Sequence, residues 1–336
     1  MDEPFSPIAV LGAGSWGTAL AGLLAGNGQP TLLWARDAAQ AAAMTASRRN
    51  HRYLSELVLP EQLQVQSDIR QAVSAAGDVL LVVPTQGFRP LLQEIAPHLP
   101  AAARISWACK GLEPNSGKLL HEVAEEELGA HRPVAVISGP TFAREVALGL
   151  PTAVTVASTA PEVAAALAAR LGNSHFRAYT SDDVIGVEVG GAIKNVLAIA
   201  AGIADGLGFG ANTRAALVTR GLAEMMRLGV VLGGQRETFM GLAGLGDLVL
   251  TCTDDQSRNR RVGLALARGQ TLAEACASVR QVAEGVKAAR EVQGQARKHG
   301  VEMPITEQVC RVLYEGLNPR AAVQSLLQRE QKAESL

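Results

Sequence analysis

The sequence predicts an α/β protein in which a doubly wound, mainly parallel sheet is followed by a mostly α-helical C-terminal domain. Apolar β-type runs alternate with Ala/Leu-rich helical runs through the first half of the chain. The run at 79–83 is apolar on both faces, which indicates helices on both sides of a parallel sheet. After Asp182, long helical patterns replace the β-type runs, so we expect domains at residues 1–181 and 182–336.

Each element is recognised by its own hydrophobic pattern, bounded by Gly, Pro or polar residues. The predicted strands are residues 8–12, 31–35, 64–67, 79–83, 104–108, 134–138 and 152–157. The helices predicted between them are residues 18–26, 38–46, 69–75, 87–99, 117–128 and 162–171. The helices predicted for the second half are residues 185–204, 214–228, 261–268, 272–279, 286–300, 307–315 and 320–329. The polar tail at 331–336 is expected to fray.

Composition excludes several classes of function. The 336 residues carry 31 basic and 32 acidic side chains, a formal net charge of −1, which argues against nucleic acid as a partner. The four cysteines form no CxxC pair and the six histidines form no HxxxH pair. We therefore expect a reducing compartment, no disulfide framework and no metal site.

One uncharged stretch raises the question of a membrane. Residues 4–35 carry no charge, and the part from 8 to 25 is long enough to span a bilayer. No Lys or Arg precedes it, and Pro7 and several glycines interrupt it, which is unlike a signal peptide. A buried strand, a tight turn and a buried helix explain the stretch better. We expect a cytoplasmic protein without a transmembrane segment.

A glycine motif joins the first predicted strand to the first predicted helix. Gly12, Gly14 and Gly17 fit the pattern GxGxxG. The first glycine permits a tight turn, the second lets a pyrophosphate approach the backbone, and the third allows close packing of helix on strand. In this context the motif predicts a Rossmann-type dinucleotide site; the alternative is a purely structural turn.

Arg36 stands at the end of the second predicted strand, where an NAD site usually has an acidic residue. A guanidinium can hold a 2′-phosphate in a fork, so NADPH is favoured over NADH. Asp37 follows directly and keeps NAD possible. The alternative is that Arg36 is simply an exposed arginine.

Two charged residues occur in unusual surroundings. Lys194 lies in an apolar helical run, where burial would lower its pKa and suit it to proton transfer; alternatively, it reaches water from the helix surface. Asp247 ends the glycine-dense segment 241–247, where it could cap a helix or hold a lysine or a substrate hydroxyl. Residues 257–261 (SRNRR) offer donors suited to a small phosphate monoester, although such clusters are often solvated.

Several sequence blocks follow one another in order. They are residues 12–19 (GAGSWGTA), 109–113 (CKGLE), 138–143 (SGPTFA), 188–198 (EVGGAIKNVLA), 211–220 (ANTRAALVTR), 241–253 (GLAGLGDLVLTCT), 257–259 (SRN) and 284–285 (EG). Together they closely resemble the bacterial NAD(P)-dependent glycerol-3-phosphate dehydrogenases. The resemblance implies a helical second domain, NADPH or NADH as cofactor, no metal, and a homodimer. It also implies reduction of dihydroxyacetone phosphate to sn-glycerol 3-phosphate for phospholipid synthesis.

The resemblance also implies roles for individual residues. Lys194 resembles the family's catalytic lysine, the proton donor in ketone reduction and acceptor in alcohol oxidation. The implied substrate contacts are Lys110, Gly139, Thr141, Lys194, Asp247, Ser257, Arg258 and Asn259. With the glycine motif, the implied cofactor contacts are Gly12, Gly14, Ser15, Trp16, Gly17, Arg36, Tyr53, Lys110, Ala143, Arg258, Val282 and Glu284.

Two other functions remain compatible with the sequence. One is a related two-domain reductase that acts on a small substrate without phosphate. The hydrogen-bond donors at 257–259, which suit a phosphate, argue against this function. The other is a non-catalytic protein that binds NADPH, which would have no use for a lysine in an apolar helix.

Overall fold

The computed structural model describes residues 6–279 and 282–330. The polar tail predicted at 331–336 lies outside the described residues. The chain divides into two units, one formed by residues up to 109 together with 120–184, the other by 110–119 together with the residues from 185 onward. The second unit thus includes 110–119, which the expected boundaries placed in the first domain. The Gln295 side chain donates to the Gly117 carbonyl at 2.7 Å, and the Asn115 N–H donates to Glu291 at 3.1 Å, which ties this segment to the helices.

Ten strands are formed within the described part of the first unit. They are β1 (Ile8–Leu11), β2 (Thr31–Trp34), β3 (Arg49–Asn50), β4 (Leu54–Val58), β5 (Leu63–Gln66), β6 (Asp78–Leu81), β7 (Arg104–Trp107), β8 (Val134–Ser138), β9 (Thr152–Ala157) and β10 (Phe176–Ser181). Eight of them form one sheet in the order β10-β9-β8-β7-β6-β1-β2-β5, while β3 and β4 form a separate hairpin. All neighbours in the large sheet are parallel except β8 and β9. The predicted mainly parallel sheet is confirmed.

Helices connect the strands of this unit. They are α1 (Ser15–Gly26), α2 (Ala38–Ser47), α3 (Ile69–Ser74), α4 (Phe88–Ile95), α5 (Leu120–Leu128), α6 (Ala143–Ala147) and α7 (Pro161–Leu171). The central strands β1 and β6 are buried along their whole length, as the two-sided apolar pattern predicts. β10 has no counterpart among the predicted strands, because its sequence FRAYTS is mostly polar and exposed at the edge of the sheet.

The second unit is helical within its described residues. Its helices are α8 (Val184–Gly206), α9 (Ala211–Val231), α10 (Arg236–Met240), α11 (Asp247–Thr253), α12 (Arg258–Ala267), α13 (Leu272–Ser278), α14 (Glu284–Lys298), α15 (Pro304–Tyr314) and α16 (Pro319–Leu327). A π-helical turn at Leu242–Gly246 precedes α11. The predicted helical C-terminal domain is confirmed. The short helices α10 and α11 are additional to the predicted elements.

The core of the second unit is built around α8. Val196, Leu197 and Ile199 of this helix are fully buried and belong to one apolar cluster with residues of α9, α12 and α14. In the described part of the chain, α8 is the helix long and apolar enough to cross a membrane, and 94% of its most apolar stretch is buried inside the fold. A core helix of a globular domain has this same composition.

A buried carboxylate joins α9 to the start of α15. Glu224 is 1% exposed and accepts the backbone N–H of Ile305 at 2.6 Å and that of Thr306 at 3.1 Å, as well as the Thr306 hydroxyl. Burial raises the pKa of Glu224 to about 7, although these hydrogen bonds oppose the shift. The carboxylate thus satisfies two N–H groups in the first turn of α15 that have no partner within the helix.

We expect Glu224→Ala to lower the free energy of unfolding by about 2–4 kcal/mol, because it leaves two buried N–H groups and a hydroxyl without an acceptor. Urea denaturation followed by circular dichroism measures this loss. Glu307 is an exposed glutamate in the same helix α15, so Glu307→Ala is the matched control and should change stability by less than about 0.5 kcal/mol. Equal effects of the two variants would refute the capping role.

Candidate active site

Helix α8 carries Lys194 into the protein interior. Its neighbours Ile193 and Val196 are buried, and Lys194 itself is only 8% exposed. The alternative in which this lysine reaches water from the helix surface does not fit this placement. An ammonium group taken out of water needs a partner, since its desolvation is costly.

Two glycines allow the segment that ends at Asp247, the partner of Lys194, to lie close to α8. Gly190 lies one turn before Lys194 on α8, and a Cβ there would meet the Ala243 carbonyl oxygen at 2.6 Å. Gly244 packs against the Phe239 carbonyl, which a Cβ would meet at 2.1 Å. The π-helical turn at Leu242–Gly246 can therefore lie directly against α8. This turn delivers Asp247, the first residue of α11, opposite Lys194.

Asp247 is shared by two lysines. The Lys194 ammonium donates to Asp247 Oδ1 at 3.0 Å and to the Thr251 hydroxyl at 2.9 Å. The Lys110 ammonium donates to Asp247 Oδ2 at 2.6 Å, and the Thr251 hydroxyl donates to Oδ1 at 3.3 Å. Asp247 is 1% exposed and does not cap α11, whose N-cap is Gly246. We call Lys110, Lys194, Asp247 and Thr251 the lysine cluster.

Burial and neighbouring charges lower the pKa of Lys194 and that of Asp247, for different reasons. Burial lowers the pKa of Lys194 to about 8, with the Lys110 ammonium adding to this effect and Asp247 opposing it. For Asp247, burial acts to raise the pKa, but the two ammonium groups outweigh it and the pKa is lowered. Asp247 is therefore a fixed negative charge at neutral pH, whereas Lys194 can gain or lose a proton close to neutrality.

A chain of amides adjoins the cluster. Asn195 Nδ2 donates to the Lys110 carbonyl at 3.4 Å and to the Gly191 carbonyl at 3.2 Å. Asn259 Nδ2 donates to Asn195 Oδ1 at 2.9 Å, and Asn259 Oδ1 accepts the Gly285 N–H at 2.9 Å. This chain fixes the start of α14, where Glu284 lies, to α8 and α12.

The residues predicted to bind phosphate lie at the start of α12. Ser257 is its N-cap and accepts the Arg260 N–H at 3.2 Å. The Arg258 side chain is exposed to solvent; partial desolvation lowers its pKa, and the carboxylate of Glu284 opposes that shift. A helix N-terminus with an adjacent guanidinium favours an anion through its dipole and its N–H groups.

The glycine motif of the first unit has the backbone that a dinucleotide site requires. Gly12 has φ +124°, and a Cβ there would meet the Val82 carbonyl oxygen at 2.4 Å. A Cβ on Gly17 would meet the Gly12 carbonyl oxygen at 1.9 Å. A Cβ built on Gly14, the N-cap of α1, would have no atom of the described residues within 4 Å apart from the adjoining backbone. The turn is therefore open to a phosphate, and these residues fit a dinucleotide.

The β3–β4 hairpin is attached to this turn. Ser15 Oγ donates to the Tyr53 carbonyl at 2.8 Å, and Asn50 Nδ2 donates to the Ala13 carbonyl at 3.0 Å. Trp16 is half-buried in α1, and Arg36 is exposed after β2. The structure therefore brings Ser15 and Tyr53, two predicted cofactor contacts, next to each other.

The remaining predicted substrate and cofactor contacts lie at or near the ends of strands and helices. Gly139 follows β8 with φ +148°, where a Cβ would meet Val154 Cα at 3.0 Å, and its carbonyl accepts the Thr141 hydroxyl at 3.3 Å. Ala143 is the first residue of α6, and Val282, two residues before α14, is 38% exposed. Each unit thus holds part of the predicted set.

Thr251 and Asn195 are absent from the set of predicted site residues. Thr251 lies four residues after Asp247, a spacing that places both side chains on one face of α11, and Asn195 directly follows Lys194. The sequence predicts only a turn for the glycine-dense segment, and without α11 the spacing carries no signal. No group of three or more potential metal ligands occurs among residues 6–279 and 282–330.

Comparison with known proteins gives matches over nearly the whole chain. Sequence models of the NAD-dependent glycerol-3-phosphate dehydrogenase N-terminus and C-terminus match residues 7–164 and 183–324, respectively. The glycerol-3-phosphate dehydrogenase (NAD(P)+) of Nitrosococcus oceani is 61% identical over 97% of this chain and 94% of its own. That of Thioalkalivibrio sulfidiphilus is 57% identical over 99% of this chain and 100% of its own.

A solved structure agrees with these matches. The crystal structure of glycerol-3-phosphate dehydrogenase from Coxiella burnetii superimposes with a TM-score of 0.94 at 50% identity, covering 97% of this chain and 99% of that one. The chain therefore belongs to the NAD-dependent glycerol-3-phosphate dehydrogenase family, whose members are NAD(P)-dependent oxidoreductases.

Proposed function

We propose that this protein reduces dihydroxyacetone phosphate to sn-glycerol 3-phosphate, reversibly, with NADPH or NADH. The observation that carries the proposal is the buried lysine cluster, in which Lys194 keeps a pKa near neutrality beside a permanently charged Asp247. The bound nicotinamide would supply the hydride. The chain itself must bind the ketone, orient it, and provide the proton that the reduced oxygen needs.

Lys194 is the proposed proton donor. As the ketone carbon is reduced, negative charge develops on its oxygen, and an ammonium group in a site of low dielectric stabilises that charge before donating its proton. In the reverse direction the neutral amine accepts the proton of the alcohol. Asp247 and Thr251 orient the amine, since both lie within 3.0 Å of its nitrogen. Lys110 contributes a second positive charge.

The phosphate of the substrate is assigned to the start of α12. Ser257, Arg258 and Asn259 combine a helix N-terminus with a guanidinium, a set suited to a phosphate monoester. Gly139 and Thr141 are the further proposed substrate contacts. Binding the phosphate apart from the reacting carbon orients the ketone, which lowers the entropic part of the barrier.

The cofactor is assigned to the glycine turn and its surroundings. The open backbone at Gly14 and the N-terminus of α1 would hold the pyrophosphate, with Ser15, Trp16, Tyr53 and Ala143 alongside. Lys110, Arg258, Val282 and Glu284 are the further proposed cofactor contacts. We also propose that the two units act as the dinucleotide-binding and the substrate-binding domain.

We expect Arg36→Asp to shift cofactor preference from NADPH toward NADH. Loss of a charged hydrogen bond to the 2′-phosphate should weaken NADPH binding by about 10- to 100-fold and leave NADH binding nearly unchanged. Titration calorimetry with each nucleotide measures this ratio. Arg70→Asp, at an exposed arginine on α3, is the matched control. An unchanged NADPH/NADH ratio in Arg36→Asp would show that Arg36 does not contact the 2′-phosphate.

The reaction is tested by the absorbance of NADPH. With dihydroxyacetone phosphate the purified protein should oxidise NADPH, and with dihydroxyacetone, which lacks the phosphate, turnover should be far slower. Equal rates with the two ketones would favour a reductase of non-phosphorylated substrates. Binding of NADPH without any oxidation would identify a non-catalytic nucleotide-binding protein.

The cellular setting is proposed from family resemblance. The product would be the glycerol phosphate backbone for phospholipids, made in the cytoplasm by a homodimer. Light scattering on the purified protein should then give about twice the chain mass of 35.1 kDa.

A further inference from the structure

An ion-pair group lies at the far end of α8 from the lysine cluster. The Asp205 carboxylate accepts from Arg260 Nη2 at 2.6 Å and from Arg214 Nε at 3.0 Å. The side chains of Asp205 and Arg260 are 7% and 9% exposed, whereas that of Arg214 is 32% exposed. Arg260 and Asp205 therefore form the buried pair, while Arg214, which pairs with Asp205, and Asp255, which pairs with Arg260, approach from the surface.

The backbone of α12 is held against α8 at the same place. A Cβ on Gly202 would meet the Arg260 carbonyl oxygen at 2.0 Å, and a Cβ on Gly263 would meet the Ile199 carbonyl oxygen at 2.1 Å. The two helices are thus in backbone contact, with no side chain between them. The ion pair and this contact together fix the first turn of α12, in which Arg258 and Arg260 both lie.

Helix geometry connects this pair to the lysine cluster. Lys194 and Asp205 are separated by about three turns of α8, so they project from nearly the same side of the helix, about 16 Å apart along its axis. One rigid helix therefore carries the proposed proton donor near its middle and the carboxylate that holds α12 near its end.

We propose that Asp205 is a positioning residue for substrate binding, which acts through Arg260 to fix the first turn of α12 and hence the phosphate contact of Arg258. The inference rests on the proposed function. Stability alone is a weak reason for this pair, because a buried ion pair can often be replaced by apolar residues with little loss. Since Arg260 lies two residues from Arg258, loss of the pair would let the turn shift and move the Arg258 guanidinium away from the phosphate.

The experiment compares Asp205→Asn with the wild type on two ketones. With dihydroxyacetone phosphate we expect KM to rise about tenfold or more, the size expected for a weakened charged hydrogen bond, with kcat changed less than about threefold. With dihydroxyacetone, kcat/KM should not change, because this ketone has no phosphate to misplace. The Kd of NADPH should rise less than the KM for dihydroxyacetone phosphate, because Arg258 is only one of several proposed cofactor contacts. Asp205→Glu, which keeps the charge, should restore most of the affinity.

Two further variants complete the design. Arg214→Gln removes the more exposed arginine and leaves the Asp205–Arg260 pair in place, so it is the matched control with normal KM. Arg260→Lys keeps a charge on a shorter side chain and should raise KM in the same sense as Asp205→Asn. If Asp205→Asn does not fold, Arg260→Lys still tests the proposal.

The outcomes separate this inference from the proposed function. A wild type that uses both ketones equally would overturn the proposed phosphate site itself. A wild type that prefers the phosphorylated ketone, with Asp205→Asn and Arg260→Lys showing unaltered KM, would overturn only the role of Asp205. Equal losses of kcat/KM with both ketones would show a purely structural role and would also overturn it.

Discussion

Lys194→Ala is expected to lower kcat for dihydroxyacetone phosphate by about 10²–10⁴-fold, the range that positioned proton transfer contributes. The loss follows because Lys194 is the group of the cluster whose pKa, about 8, allows it to give and take a proton near neutrality. Asp247 stays ionised and the buried thiol of Cys252, with its pKa raised to about 12 by burial, stays neutral. Steady-state kinetics by NADPH absorbance measures the effect.

Cofactor binding serves as the internal control for this variant. The Kd of NADPH should remain within a few-fold of the wild type, because the glycine turn lies in the other unit of the chain. Lys298→Ala, at an exposed lysine on α14, should leave kcat unaltered. Nearly normal turnover by Lys194→Ala would eliminate it as the proton donor.

Asp247→Asn should have the second largest effect, on both stability and activity. Removing the charge leaves the buried ammonium group of Lys194 and the partly buried one of Lys110 without their counter-ion. Breaking a buried pair in this way costs about 3–5 kcal/mol of unfolding free energy. Misplacement of the Lys194 amine by about 1 Å would lower kcat on the order of 10²-fold.

Asp247→Asn should also shift the pH profile of kcat/KM for ketone reduction. Because Asp247 raises the pKa of Lys194, its loss should shift the alkaline limb of ketone reduction to lower pH. Denaturant unfolding and a pH series of kcat/KM measure the two effects. Glu237→Gln, at an exposed glutamate on α10, is the control. A stable, active Asp247→Asn enzyme with an unmoved profile would be incompatible with the shared counter-ion.

The sheet can be predicted from the sequence because its strands are buried on both faces. The apolar runs in β1 and β6 can be recognised without knowing which strands they pair with, whereas the edge strand β10 owes its structure to pairing with β9. The long helix α8 is predictable for the same reason as the inner strands, since its apolar composition reflects its burial.

The sequence singles out only some members of the lysine cluster, and it does not predict that they meet. Lys194 and Asp247 attract attention as charges in unusual surroundings, and the resemblance adds Lys110. Their meeting at one carboxylate depends on the π-helical turn and on the close approach at Gly190, which are tertiary features. Thr251 can be found only once α11 is known. The pair of Asp205 and Arg260 joins residues from two helices and leaves no local pattern.

The most direct measurement of the central claim is the pH dependence of kcat/KM for oxidation of sn-glycerol 3-phosphate between pH 7 and 9.5, above the range in which a phosphate titrates at about pH 6. If the neutral amine of Lys194 is the base, the rate should rise with pH and level off through a midpoint near 8, and Lys194→Ala should lose this titration and regain turnover with added methylamine. A flat wild-type profile, or the same midpoint in Lys194→Ala, would contradict proton transfer by Lys194.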